Sequence, residues 1–264
     1  MKIPFSKYHG TGNDFIIIDN RKLLWKPAKE EIARLCNRHF GIGADGLMLL
    51  SEKQGFDFYM TYYNSDGGES TMCGNGGRCM IIFAQLLGLT SSEPRFMAVD
   101  GEHTGKITGN GNSRLIKLKM KDVMVDEMAE DYLFINTGSP HYVIFADGVE
   151  ALDIITEAKK IRYNTRFAKE GTNVDFVEIR KDHLFVRSYE RGVEDETLSC
   201  GTGVTASALA FAIKYPSNNT SANILTKGGN LKVYYKQSGN AFSDIWLEGP
   251  VGFVFEGEIV TRDA

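Results

Sequence analysis

Two segments stand out in the pattern of apolar and polar positions, because each is apolar on nearly every side of a helix. The first is Cys79-Met80-Ile81-Ile82-Phe83-Ala84-Gln85-Leu86-Leu87, and the second runs from Val204 to Ile213. A helix of that composition is buried all round. Each follows a cysteine on a glycine-rich turn: Met72-Cys73-Gly74-Asn75-Gly76-Gly77-Arg78 and Ser199-Cys200-Gly201-Thr202-Gly203. Short apolar or alternating runs surround them and predict strands. In the first half these are 3–8, 14–19, 46–51, 57–63, 95–99, 102–108 and 114–120. In the second they are 142–145, 174–179, 184–189, 223–226, 231–235, 244–248 and 251–259. Amphipathic helices are expected over 28–39 and from 151 to about 163, with a charged, aperiodic linker at 121–131.

The two halves retrace one path. Thr11-Gly12 matches Thr137-Gly138 at a shift of 126 residues, and Cys73 matches Cys200 at 127. Gly101 and Gly228 also lie 127 apart, and helix 28–39 shifts onto the helix of the second half. A period this long implies two like domains rather than a solenoid. The expected fold is therefore α+β, with two pseudo-symmetric domains. Each is a curved, mostly antiparallel sheet wrapped around a central apolar helix, and the active site lies in the cleft between them. The expected domains are 1–121, joined by the last strand at about 254–264, and 122–253.

Composition adds exclusions. The chain has 264 residues, 42% hydrophobic and 24% charged, with net charge −4. These values suit a globular protein and argue against nucleic acid as the main partner. No apolar run is long enough to span a membrane and Met1–Lys7 lacks a signal-peptide pattern, so a cytoplasmic location is expected. The four cysteines include no C-x-x-C pair, which argues against a zinc knuckle or thioredoxin motif. Cys36 and Cys79 read as core residues.

Cys73 and Cys200 read differently, because a helix start offers unpaired N–H groups and the positive end of the dipole, which favour a thiolate. Two such thiols facing one cleft fit either a redox pair or an acid–base pair that removes a proton from one face of a carbon and returns one to the other. The N–H groups of Gly74, Asn75, Gly201 and Thr202 suit a carboxylate that gains charge as its α-proton leaves, which favours the racemase or epimerase reading. One thiol then serves as base and the other stays protonated as acid. Glu190 and Arg191 stand at the mouth of the Cys200 loop, with Asn64 at the shifted position, and His141 follows Pro140.

Five segments, in order, resemble the diaminopimelate epimerase family: His9-Gly10-Thr11-Gly12-Asn13-Asp14-Phe15, Asn64-Ser65-Asp66-Gly67…Cys73-Gly74-Asn75-Gly76-Gly77-Arg78, Gly138-Ser139-Pro140-His141, Thr172-Asn173-Val174-Asp175-Phe176 and Glu190-Arg191-Gly192…Cys200-Gly201-Thr202-Gly203. The resemblance implies a cofactor-independent, metal-free isomerase that interconverts LL- and meso-diaminopimelate for lysine and peptidoglycan synthesis, and a homodimer. It implies Cys73 and Cys200 as the catalytic pair. Substrate contacts fall to Asn13, Asn64, Asn173 and Arg191, to Glu190 at the distal ammonium, and to the backbone at Gly74, Asn75, Gly201 and Thr202. His141 and Glu190 match residues that tune the thiols. Ser139 stands where the family usually has Asn, Gly46 where many members have Gln, and the loop 190–196 is about one residue longer than usual. The rival readings are a proline racemase-like isomerase, which has no use for a distal ammonium site, and a thiol redox protein.

Overall fold

The computed structural model describes residues 2–109, 114–125 and 127–261. By internal contacts the chain divides into two units, one running to Leu118 and resuming at Pro250, the other spanning Lys119–Gly249. Both boundaries fall a few residues earlier than the expected 121 and 253, for physical reasons. The Met120 N–H donates to the Ile245 carbonyl and Lys119 pairs with Asp244, which ties both residues to the second unit. The returning strand begins at Gly252.

The first unit is built from β1 (Lys2–Gly10), β2 (Asn13–Asp19), α1 (Lys29–Cys36), β3 (Gly46–Ser51), β4 (Phe58–Asn64), β5 (Glu69–Ser70), α2 (Gly74–Leu86), β6 (Arg95–Ala98), β7 (Gly101–Thr108) and β8 (Leu115–Lys119). β1 and β2 form a hairpin closed by Thr11 and Gly12, both at positive φ. Two consecutive positive-φ residues match the right-handed twist of the strands they join. β2 runs parallel to β3, β3 antiparallel to β4, and β4 parallel to β6. Phe15–Ile18 and Leu47–Leu50 are buried without alternation. The reason is that α1 covers one face of these strands and α2 the other.

Helix α1 ends at Cys36, short of the expected His39. The Asn37 side chain accepts from the N–H groups of His39 and Phe40, and the chain turns back so that the Ile42 N–H meets the Leu35 carbonyl. Local side-chain acceptors of this kind compete with helix continuation.

The second unit repeats the order: β9 (Val123–Met124), β10 (Glu127–Met128), β11 (Tyr132–Asn136), β12 (Pro140–Phe145), α3 (Ile154–Arg162), β13 (Asn173–Ile179), β14 (Leu184–Glu190), β15 (Asp195–Thr197), α4 (Gly201–Lys214), β16 (Ser221–Thr226), β17 (Gly229–Ser238) and β18 (Ala241–Pro250). β12–β13 is parallel, β13–β14 antiparallel and β14–β16 parallel, the pairing sequence of the first unit. α4 is the central helix and packs on β11–β14. The segment expected as a linker contributes β9, which pairs with β18, and β10, which pairs with β11. The second helix starts at Ile154, because the Asp153 carboxylate caps the Thr156 N–H. β19 (Gly252–Val260) then returns to pair antiparallel with β1 from Lys2 to His9.

An ion network, buried at Lys7 and open to solvent at Arg38, anchors the hairpin turn. The Lys7 ammonium lies 2.6 Å from Asp14 and donates to the Gly43 carbonyl. Arg38 reaches Asp14 and Asp45, each at 2.7 Å. Burial alone would raise the Asp14 carboxyl, but hydrogen bonds from Arg38 and Lys7 outweigh it and hold it at about 2. A depressed folded-state pKa gives stability that is full above the ordinary value of 3.8 and lost as pH falls toward 2. The urea midpoint of the wild type should therefore fall more steeply between pH 4 and 2 than that of Asp14→Asn. Parallel slopes would show that this carboxylate contributes nothing to acid sensitivity.

Candidate active site

Each candidate thiol is the N-cap residue of its central helix. Cys73 has extended backbone and its carbonyl accepts from the Gly77 N–H at 2.7 Å. Cys200 has the same geometry, accepting from Val204 at 2.8 Å. Neither helix has a side-chain cap. The first N–H groups after each cysteine have no intrahelical acceptor and face the end of the helix with their dipoles aligned. Glycines stand at 74 and 76 and at 201 and 203; those at 76 and 203 make room inside the protein, for the Met48 sulfur and the Asp175 carboxylate.

In the first unit the hairpin turn brings Asn13 to Cys73. The thiol donates to the Asn13 Oδ1 at 3.5 Å, and Asn75 Nδ2 donates to the same oxygen at 3.4 Å. Asn13 Nδ2 donates to Asp45 Oδ2 at 2.7 Å, so the amide is turned with its oxygen toward the thiol. Asn64 ends β4 solvent-exposed, opposite Gly46, and shares no hydrogen bond with this cluster among the described residues. A side chain at Gly46 would meet the Tyr62 ring and the Tyr63 carbonyl, each at 2.5 Å. Tyr62 thus fills the space that a glutamine would need.

In the second unit the parallel register His141↔Asn173 and the antiparallel register Asp175↔Ser188 gather a polar cluster inside the sheet. His141 and Asp175 are both 0% exposed. Their Nδ1–Oδ2 distance is 2.6 Å, and Ser188 donates to the other Asp175 oxygen at 2.5 Å. A carboxylate only accepts, so Nδ1 carries the imidazole hydrogen. In the neutral ring the other nitrogen is an acceptor, and Thr202 Oγ1 lies 2.9 Å from it. Asn173 agrees with this tautomer: its Oδ1 accepts the Arg191 N–H at 2.9 Å, which turns its Nδ2 toward Ser139, Pro140 and His141 Nε2. Cys200 Sγ lies 3.4 Å from Thr202 Oγ1. A single polarity then runs from the Cys200 S–H to Thr202 Oγ1, from the Thr202 O–H to His141 Nε2, and from His141 Nδ1–H to Asp175.

Glu190, at the end of β14, accepts a short hydrogen bond from Thr197 Oγ1. Burial pushes its carboxyl up. Arg191 projects from the same corner, with one guanidinium nitrogen on the Glu170 carbonyl at 2.9 Å and the other 3.5 Å from Ser139 Oγ. The shorter hydroxyl at Ser139 therefore still reaches both Arg191 and Asn173.

The thiols differ from the simplest expectation of helix-start activation. Burial, followed by the nearby Glu190 and Asp175 carboxylates, pushes the Cys200 thiol well up. Burial leads and the carboxylates add to it, so the protonated thiol is favoured there, which suits the partner that must stay protonated. Burial likewise pushes Cys36 up to about 12 and raises Cys79, in keeping with their reading as inert core residues.

Sequence reasoning left Asp175, Ser188, Thr197 and Asp45 without roles and gave Thr202 only a backbone one. The available signal was Asp175, an acid in the middle of the apolar run Val174–Val177. No group of three or more metal-ligating side chains occurs among the described residues, and no described helix is long and apolar enough to cross a membrane.

The diaminopimelate epimerase family profile matches residues 5–125 and 133–254, one match per repeat. A diaminopimelate epimerase of Flavobacterium psychrophilum is 48% identical over 255 residues, covering 96% of this chain and 98% of that protein. One from Chlorobaculum tepidum is 41% identical, covering 95% and 98%. Among solved structures, a PhzF-family phenazine biosynthesis protein from Bacillus anthracis superposes with a TM-score of 0.73 at 15% identity, covering 99% of this chain and 100% of that one. A hydroxyproline epimerase from Agrobacterium vitis gives 0.71 at 13%, covering 99% and 93%. At such low identity these two likenesses speak for the fold alone. Full-length identity to the named relatives, with both halves matched by the profile, shows that the chain belongs to the diaminopimelate epimerase family and is an isomerase.

Proposed function

We propose that this chain interconverts LL- and meso-diaminopimelate without a cofactor, using Cys73 and Cys200 as its acid and base. The observation that carries the reading is the duplicated helix start, with a cysteine at each N-cap and open N–H groups behind it. One thiolate takes the α-proton. The electron pair left on carbon delocalises into the α-carboxylate, where N–H groups of Gly74, Asn75, Gly201 and Thr202 stabilise the added charge. The opposite thiol gives its proton to the other face, the centre inverts, and the two sulfurs have exchanged protonation states.

The distal end of the substrate carries an ammonium and a carboxylate. In this reading Glu190 holds the ammonium, and Asn64, Asn173 and Arg191 hold the carboxylate. A site with both charges discriminates against a substrate lacking them, because its buried polar groups would be left unpaired. Such an enzyme would work in the cytoplasm, as a homodimer, supplying lysine and peptidoglycan precursors. The reading is tested by incubating reduced protein with LL-diaminopimelate and resolving the stereoisomers by chiral chromatography. Formation of the meso isomer supports it. An unchanged LL sample, or equal turnover of proline, would contradict it.

A further inference from the structure

Three permanent cations are buried among the described residues: Lys7, Arg78 and Arg187. Lys7 is paired with Asp14, and Arg187 with Glu196 at 2.6 Å. Arg78 is different. It is 0% exposed and the only charged residue of α2, and it forms no ion pair among the described residues. Its acceptors are neutral: Asn75 Oδ1 at 2.8 Å, the Gly74 carbonyl at 3.4 Å and Thr11 Oγ1 at 3.5 Å. Its Nε has no acceptor among the described residues. A buried charge without a counter-ion carries a desolvation cost that no paired carboxylate offsets. Packing therefore gives no reason for this arginine, which sits one turn inside the helix that begins at Cys73.

What the site lacks in this half is the negative charge that the reaction creates. Arg78 donates to Asn75 Oδ1, which turns Asn75 Nδ2 toward Asn13 Oδ1, the oxygen that receives the Cys73 S–H. The guanidinium thus orients the amides that hold the thiol and adds a full positive charge to the partial one of the helix start. The second half has no counterpart. The residue 127 positions on is Thr205, also fully buried, whose hydroxyl donates to the Gly201 carbonyl at 2.9 Å. There the charged neighbours of the thiol are carboxylates, Glu190 and Asp175.

We propose that Arg78 is a positioning residue of the Cys73 half-site, whose unpaired charge is the counter-charge for the anion that forms at the α2 N-terminus: the Cys73 thiolate and the substrate carboxylate beside it. The part concerning the carboxylate rests on the epimerase reading, whereas the part concerning the thiolate does not.

The test uses Arg78→Met and Arg78→Lys of the full chain. Three quantities are measured: Tm, kcat and KM on diaminopimelate, and the substrate-free rates at which iodoacetamide alkylates Cys73 and Cys200, resolved by peptide mass spectrometry. Arg78→Met should keep or raise Tm, lower kcat by roughly 10- to 100-fold, and slow Cys73 alkylation about tenfold while leaving Cys200 unchanged. Arg78→Lys should recover most of the Cys73 rate. Wild-type kcat and Cys73 reactivity in Arg78→Met would overturn the proposal, as would a lysine variant no better than methionine. If the methionine variant does not fold, Arg78→Gln takes its place under the same expectations, because it keeps a donor for Asn75 without the charge. If wild-type protein fails to turn over diaminopimelate, the epimerase reading falls, and the alkylation ratio still decides the role of Arg78.

Discussion

Cys73→Ala and Cys200→Ala should each lose epimerisation by roughly 10²–10⁴-fold, the range that a positioned acid or base contributes, with Tm little changed. The expectation follows from the placement of the two sulfurs. Each is the N-cap of a buried helix, and neither side chain caps its own helix, so removing it costs the fold little. Inversion needs a proton taken from one face and another delivered to the opposite face. Either loss is therefore as damaging as the other. The same substitution at Cys36 or Cys79 should leave turnover near wild type, because those thiols are packed in apolar surroundings that hold them protonated. Chiral assay of the four variants checks both halves of the expectation. Equal losses at all four positions would indicate a general folding defect instead.

Asp175→Ala should be the most destabilising of the site substitutions. Asp175 is fully buried and accepts from Ser188 and His141. Removing it strands two buried donors and leaves a void beside Gly203, where Asp175 Oδ1 lies closest. Breaking a buried charged network by removing one member costs about 3–5 kcal/mol, which corresponds to a fall in Tm of roughly 10 °C for a chain of this size. Asp175→Asn separates charge from shape. An amide oxygen can still accept from His141 Nδ1 while its nitrogen reaches Ser188, so Tm should fall less than for alanine. Activity should still drop, because the imidazole loses the carboxylate that fixes its hydrogen and Thr202 loses a firm acceptor. An asparagine variant with wild-type kcat would show that the polarity running from Cys200 to Asp175 is unimportant to turnover.

The legible parts of the sequence are those governed by local pattern. The apolar runs after Cys73 and Cys200 announce two buried helices, and the shift of 127 residues pairs them before any strand is placed. The pairing sequence of β2–β6 recurs in β12–β16, as that shift implies. Cross-strand register hides the rest. Asp175 meets Ser188 only because β13 and β14 pair in one register, and His141 meets Asn173 only through the parallel pairing of β12 with β13. Arg78 reads in sequence as the last residue of the glycine-rich turn before the apolar run, and its want of a carboxylate is visible only in three dimensions. Gly46 reads only as a departure from the Gln of many members until the Tyr62 ring is seen in the same space. The 121–131 segment is aperiodic because its two short strands, β9 and β10, are fixed by partners rather than by a pattern of their own.

The central claim is that two thiols exchange protons with one α-carbon. It is tested most directly by incubating reduced protein with diaminopimelate in deuterated water and reading α-deuterium by mass spectrometry and NMR. Wild type should incorporate deuterium at the α-position as the stereocentre inverts, and each of Cys73→Ala and Cys200→Ala should lose that inversion-linked incorporation. No incorporation by wild type, or undiminished incorporation in both alanine variants, would contradict the account.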